Sequence, residues 1–170
     1  MLSKKKFRLL LLFLFLACSI LGVNWYYRKY QDEAFKRAYE HGNIYEQLDS
    51  LMNTTRYVDD VRKAGYKVDD WGIIWNHRID SLNTHTTPVV EISVPQTESV
   101  GVRLAIDDNN VIRIRYDTRM NLKEVVYYKD KKILVNKEIP KDIYNKYVKL
   151  SNQAIATLLK DVYTEMYDRK

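Results

Sequence analysis

The chain has 170 residues, of which 29% are charged and 46% are hydrophobic, and its formal net charge at pH 7 is +6. Residues 1–30 hold six basic residues and no acidic residue, while the remaining 22 basic residues balance the 22 acidic residues of the chain. Because the positive excess is confined to the amino-terminal end, it does not indicate a surface for DNA or RNA, and no nucleic-acid partner is expected.

The amino-terminal segment joins a basic cluster to an uninterrupted apolar run. Basic residues within Lys4–Arg8 precede the apolar residues Leu9–Val23, and the aromatic residues Trp25–Tyr27 follow. Interfacial aromatic residues extend such a run to the length of a membrane span, and basic residues before it favour a cytoplasmic amino terminus. We therefore predict a cytoplasmic tail and transmembrane anchor over 1–27 and a single extracytoplasmic domain over 28–170. The predicted localisation is the cell membrane, single-pass, with the carboxy-terminal domain extracellular.

Two other interpretations of this segment also export the chain. A lipoprotein signal would end at Cys18, and a cleaved signal peptide would use the small residues Ala17 and Ser19. Cys18 is the only cysteine, so no disulfide framework exists in the exported part. An exported domain without disulfides suits a Gram-positive bacterium better than a eukaryotic secretory route.

Residues 28–65 have helical periodicity in three parts. The stripe from Arg28 to Met52 is interrupted at Gly42 and Asn43, which predicts a helix, a turn and a second helix. Asn53–Thr55 is expected to cap a further short helix that ends at Gly65.

Residues 66–82 fit a short helix about as well as a strand, and we favour a strand over Gly72–Arg78. Trp71 and Trp75 lie in this segment. Two tryptophans so close together supply either a large part of the core or an exposed aromatic anchor for a protein partner.

The segment from Val89 to Asn136 alternates apolar and polar residues through consecutive short runs, which predicts an antiparallel sheet with one packed face and one open face. The last two candidate strands, Leu122–Lys129 and Lys132–Asn136, alternate less regularly. The predicted fold class is α+β: an antiparallel sheet of about four to five strands packs on amino- and carboxy-terminal helices, after one transmembrane helix.

Side-chain parity restricts how these strands pair, since a slip of one residue would expose the whole apolar set. The preferred register sets Glu91 opposite Arg103. On the next strand Arg103 faces Arg113 if the loop has three residues, or Arg115 if it has five, and opposed like charges are unfavourable. The open face with these three arginines is our candidate surface for an acidic partner; the alternative is a solvated outer face. Replacing Arg113 and Arg115 together by Glu is then expected to leave stability unchanged or slightly higher.

The carboxy-terminal region after Pro140 has apolar residues at intervals of three and four over Asp142–Tyr167, and this stripe is long enough to cover the packed face of the sheet. Ser151 is expected to cap a second helix and to divide the region in two.

The sequence contains no nucleophile motif, phosphate-binding glycine loop or metal-ligand spacing. His41, His77 and His85 lie in three different segments. We therefore predict a binding protein that is not an enzyme and uses no cofactor or metal. The alternatives are an accessory or sensory partner of another membrane protein, and a cell-envelope hydrolase built from His77, His85 and an aspartate.

The layout resembles that of the TipC-type immunity proteins of Gram-positive bacteria, which neutralise secreted toxins of the LXG class. The similarity rests on the basic and apolar anchor Lys4–Val23 running into Trp25–Tyr30, consecutive strands such as Val100–Ile106 and Val111–Tyr116, and a tyrosine-rich terminal helical region, Asp142–Tyr167. It implies a sheet face that sequesters a secreted toxin as protein partner, for which Arg103, Arg113 and Arg115 would be the corresponding surface.

Overall fold

The structure is a computed structural model that describes residues 4–69, 74–75, 89–93, 99–107 and 109–168. The helices are α1 (Lys4–His41), α2 (Ile44–Met52), α3 (Tyr57–Lys63) and α4 (Lys141–Tyr163), with a 3-10 turn at Asn136–Glu138 and a π-helical turn at Thr164–Asp168. The strands are β1 (Lys67–Val68), β2 (Ile74–Trp75), β3 (Val89–Ser93), β4 (Ser99–Ala105), β5 (Asn110–Asp117), β6 (Leu122–Lys129) and β7 (Lys132–Val135).

The strands form one antiparallel sheet in the order β1-β2-β3-β4-β5-β6-β7, so each strand pairs with its neighbours in sequence. The predicted α+β class is confirmed, and β3 to β7 coincide with the five predicted strands. Two strands of two residues each extend the sheet, and one of them, β2, lies inside the segment for which a strand was favoured.

The predicted register is also confirmed. Glu91 pairs with Arg103, and Arg103 pairs with Arg113, as the three-residue loop requires. The even-numbered apolar residues of β3, β4 and β5 therefore share the packed face, where Ile92, Leu104 and Ile112 have no more than 2% of their surface exposed. The odd-numbered residues of these strands are left on the open face.

Helix α4 covers the packed face without a break, so the prediction that Ser151 divides it is wrong. Ser151 is fully buried in the middle of the helix, where its hydroxyl donates to the Val148 carbonyl at 2.9 Å and bonds the Tyr116 hydroxyl of β5. A serine that returns its hydrogen bond to the preceding turn does not need to end the helix. Burial raises the pKa of Tyr116, although the hydrogen bond between Tyr116 and Ser151 acts in the opposite direction.

We expect Ser151→Ala to destabilise the fold by about 1–3 kcal/mol, because it leaves the Tyr116 hydroxyl buried without this partner. Tyr116→Phe with Ser151→Ala removes both hydroxyls and should recover most of that loss. A double-mutant cycle by denaturant unfolding measures the coupling. Additive losses would show that the two hydroxyls act independently.

Helix α1 continues without interruption from the apolar segment into the folded domain. Its portion Leu11–His41 is long and apolar enough to cross a membrane. The helix ends before Gly42, and Asn43 starts α2 by accepting a hydrogen bond from the Glu46 amide while the Glu46 carboxylate accepts one from Asn43. The predicted turn at Gly42 and Asn43 is therefore confirmed, with this reciprocal cap as its physical cause.

The loop between α2 and α3 forms hydrogen bonds with α2 and α1 and does not cap α3. The prediction that Asn53–Thr55 caps α3 is therefore wrong. Arg56 is the residue before α3, and its side chain makes no capping hydrogen bond. Instead, Thr54 donates its hydroxyl to the Leu51 carbonyl at the end of α2. Gln31 of α1 bonds the same loop twice, donating to the Asn53 carbonyl at 2.6 Å and accepting from the Thr55 amide at 3.0 Å.

An aromatic cluster joins α1 to the end of α4. Phe35 is fully buried, and its ring lies 6.3–6.5 Å from the rings of Tyr39, Tyr163 and Tyr167. Tyr39 stacks on Tyr163 with ring centroids 4.0 Å apart. Since Tyr163 bonds Glu40 and Tyr167 bonds the Asp32 carbonyl, the two helices run antiparallel here. The amino-terminal end of α4 thus points away from the apolar segment of α1.

Candidate functional site

Five charged side chains from four strands lie together on the open face of the sheet, and we call them the arginine face: Glu91, Arg103, Arg113, Arg115 and Glu124. The strand register determines this arrangement, because cross-strand partners project to the same side. Arg103 lies between Glu91 and Arg113, while Arg115 lies between Gly101 and Glu124. All three predicted arginines and Glu91 are therefore brought together.

Each arginine has a different partner, and these partners separate the like charges. Arg103 forms an ion pair with Glu91, whose side chain is only 12% exposed. Arg115 lies 3.5 Å from the Glu124 carboxylate. Arg113 instead places its guanidinium 5.2 Å from the centre of the Tyr128 ring, a cation–π arrangement. Among the described residues, Arg113 is the arginine of this face that has no carboxylate partner.

A groove of about 420 Å³ runs between the charged pairs, and Gly101 forms its floor. Gly101 pairs with Ser93 on one side and Arg115 on the other, so the middle of the face lacks a side chain at this position. A Cβ built on Gly101 would lie 2.9 Å from the Ser93 hydroxyl. Glycine inside a strand often marks a place where another molecule approaches the backbone closely.

The apolar end of the open face lies beside the arginines, on β6 and β7. Val126 pairs with Val135, and Tyr128 pairs with Ile133, whose side chain is 60% exposed. Exposed apolar residues next to charged ones are typical of protein-binding surfaces. The open face therefore offers both a cationic and an apolar contact area.

The structure describes only one of the two tryptophans that were predicted as aromatic anchors. Trp75 lies in β2, where its backbone pairs with Glu91 of the arginine face. Trp71 is outside the described residues, as are His77 and His85. The third histidine, His41, is exposed at the end of α1.

Sequence reasoning missed Gly101, Ser93 and Glu124 as members of the site. Gly101 could have been predicted from the sequence, since it is the one glycine within the alternating run of β4 and has the same parity as Arg103. Glu124 had no such signal, because the register of β6 depends on a bulge.

The arrangement offers a ligand both charged and apolar contacts. Within the part of the chain that the structure describes, no group of three or more His, Cys, Asp or Glu could hold a metal ion. On the arginine face, both carboxylates are engaged by arginines, Glu91 by Arg103 and Glu124 by Arg115.

Comparisons with protein-family models, with curated proteins and with solved structures find no match to this chain.

Because Arg113 and Arg115 have different partners, reversing the charge of each should change the free energy of unfolding by a different amount. Arg113→Glu sets a carboxylate opposite Arg103 but loses the Tyr128 contact, so the free energy of unfolding should change by less than about 0.5 kcal/mol. Arg115→Glu sets a carboxylate opposite Glu124 and should cost about 0.5–1 kcal/mol. Thermal unfolding of both single variants checks this, and equal losses would contradict the assigned partners.

Proposed function

We propose that the chain is a membrane-anchored extracytoplasmic protein that binds a secreted antibacterial toxin on its open sheet face and thereby gives immunity. The observation that carries this proposal is the groove over Gly101, bordered by Arg103, Arg113 and Arg115. A cationic groove with an adjacent apolar area fits a protein surface that presents acidic side chains. The resemblance to TipC-type immunity proteins supports a toxin of the LXG class as the partner.

The anchor supports the same proposal through its connection to the domain. Phe35, in the core, follows the interfacial residue Tyr27 by eight helical residues, which is a rise of about 12 Å. A domain held this close to the bilayer would meet a toxin before the toxin reached the membrane. The basic residues before the apolar run favour the required orientation.

A second candidate is an accessory or sensory partner of another membrane protein. It is favoured by the continuity of α1, since a helix that is unbroken from the apolar segment to the core would transmit a shift of the domain into the membrane. The third alternative, a cell-envelope hydrolase, depends on His77 and His85.

The test recovers partners from the native cell envelope, with the full chain as bait in mild detergent. A secreted toxin supports immunity, whereas a resident membrane protein as the sole partner supports the sensory alternative. The recovered toxin should then kill cells that lack the chain and spare cells that express it. Recovery of neither class would overturn both binding proposals and favour the hydrolase.

The orientation is tested separately by adding protease to intact cells. Digestion of the chain beyond Tyr30 agrees with an extracytoplasmic domain. Full protection of that region would rule out an encounter with a toxin outside the cell.

A further inference from the structure

A second concave site lies at the end of the domain away from α1, and we call it the lysine pocket. It has a volume of about 510 Å³, and its lining includes Lys123, Lys137 and Lys141 around the apolar surfaces of Leu122, Ile139 and Tyr144. None of its lining residues belongs to the groove over Gly101. It is therefore separate from that groove.

The three lysines come from three different elements, so their convergence is a property of the fold. Lys123 belongs to β6, Lys137 to the 3-10 turn after β7, and Lys141 to the first turn of α4. Asn136, at the start of that turn, fixes its position by accepting a hydrogen bond from the Val125 amide at 2.9 Å. The pocket is thus built on elements that are held to the sheet.

The charge of the pocket is positive and only partly compensated. No Asp or Glu is among its described lining residues, and within the described part of the chain its lysines form one ion pair, between Lys123 and Asp117 at 3.2 Å. Asp117 in turn accepts hydrogen bonds from the Arg119 and Asn121 amides, so it is already engaged in the β5–β6 turn. Two positive charges, on Lys137 and Lys141, remain for a ligand.

The pocket also has an apolar part. Ile139 is almost fully buried at its base, and the Tyr144 side chain lies beside it, half-buried. A small inorganic anion would use the charges and leave this surface exposed to water. A ligand with an anionic head and an apolar body would use both.

We propose that the lysine pocket binds a phosphate monoester that carries an apolar group. A dianionic head matches the two uncompensated lysines, and a ring or short chain matches Ile139 and Tyr144. The pocket lies about 33 Å along α4 from the aromatic cluster, since 22 helical residues separate Lys141 from Tyr163. It would therefore face away from the membrane in the proposed orientation.

The test is isothermal titration of the full chain in non-ionic detergent at low ionic strength, with phenyl phosphate as the probe. We expect one saturable site. Inorganic phosphate lacks the apolar group and benzoate lacks the second charge, so each should bind about tenfold more weakly. Methyl phenyl phosphate, a monoanionic diester, should resemble benzoate, which separates a free monoester from the phosphodiester of an envelope polymer.

Matched lysine pairs make the assignment specific. Lys137→Gln with Lys141→Gln should weaken phenyl phosphate binding about tenfold, whereas Lys149→Gln with Lys160→Gln, exposed lysines of α4 outside the pocket, should change it less than about twofold. Thermal unfolding of both pairs confirms that they fold. The absence of saturable binding, equal losses in the two pairs, or equal affinity for the diester would overturn the proposal.

Discussion

Replacing Phe35 by Ala is expected to destabilise the folded domain by about 3–5 kcal/mol. Phe35 is fully buried between α1 and the end of α4, and its ring contacts the rings of Tyr39, Tyr163 and Tyr167. The surrounding tyrosines cannot close the cavity easily, because Tyr163 and Tyr167 are held to α1 by hydrogen bonds. Against a typical total stability of about 5–15 kcal/mol, this loss is large.

The measurement is denaturant unfolding of the full chain in detergent micelles, followed by near-ultraviolet circular dichroism. Tyr30→Ala is the matched control, since Tyr30 lies on the same helix but is 56% exposed and should cost less than about 0.5 kcal/mol. Hydrogen exchange of the Phe35→Ala variant then distinguishes two roles of α1. Faster exchange throughout the sheet shows that the α1 extension belongs to the cooperative core, whereas faster exchange in α1 alone would mean that the helix only docks on a domain that is stable without it.

A rigid junction at Phe35 also has a functional consequence. If the helix and the core unfold together, the anchor cannot swing freely below the domain, and the arginine face keeps one orientation relative to the membrane. A partner that arrives from outside would then meet the arginine face in that fixed orientation. A docked helix would instead permit the domain to tilt, and the arginine face would then have no fixed orientation.

The sheet could be predicted from sequence as far as its alternation remained regular. On β3, β4 and β5 the buried residues have one parity, and this was enough to place Glu91 opposite Arg103 and to restrict the other neighbour of Arg103 to Arg113 or Arg115, of which the structure shows Arg113. The short loop between β4 and β5 preserves parity. The alternation of apolar residues along each strand therefore agrees with the pairing between the strands.

The pattern failed at β6 because of a bulge. Arg115 pairs with Glu124 but Tyr116 pairs with Leu122, which leaves Lys123 as an extra residue. A bulge changes the parity of all residues beyond it. In β6 the odd-numbered Val125 and Tyr127 are consequently buried, and since their neighbours are also apolar, the sequence could not show which set faces the core.

Ser151 shows a different limit. A serine in the middle of a helical region is ambiguous, since its hydroxyl bonds either the following turn as a cap or the preceding turn within a helix. The deciding contact is Tyr116, which is 35 residues away in sequence and reaches Ser151 only after α4 has packed on β5. Tertiary contacts of this kind have no local signal.

Gly101→Val is expected to abolish partner binding without harming the fold. Gly101 does not have a positive φ angle, so no backbone strain requires glycine there. Glycine in a strand costs about 0.5–1 kcal/mol relative to alanine, and valine fits strands well. The added Cβ would lie 2.9 Å from the Ser93 hydroxyl, which must give up its 3.4 Å hydrogen bond to the Gly101 carbonyl and rotate away; the Ser93 carbonyl, at 3.8 Å, is at an ordinary contact distance. Stability should therefore change by less than about 0.5 kcal/mol.

The valine side chain would fill the groove where an acidic partner side chain must approach Arg113 and Arg115. We expect affinity for the recovered toxin to fall at least about 100-fold, or about 2.8 kcal/mol, mainly through faster dissociation. Ala105→Val is the matched control, because Ala105 lies on the same strand and the same face but outside the groove. Its affinity should stay within about threefold of the unmodified chain.

Binding kinetics and thermal unfolding of the two valine variants distinguish the possible reasons for a glycine at this position. If Gly101→Val binds as Ala105→Val does, the groove is empty in the complex, and the partner contacts the apolar end of the face near Tyr128 and Ile133. If Gly101→Val loses stability as well as binding, then Ser93 cannot rotate away and the glycine serves packing. If Gly101→Val loses binding but keeps its stability, the glycine is needed because the partner occupies the space above it.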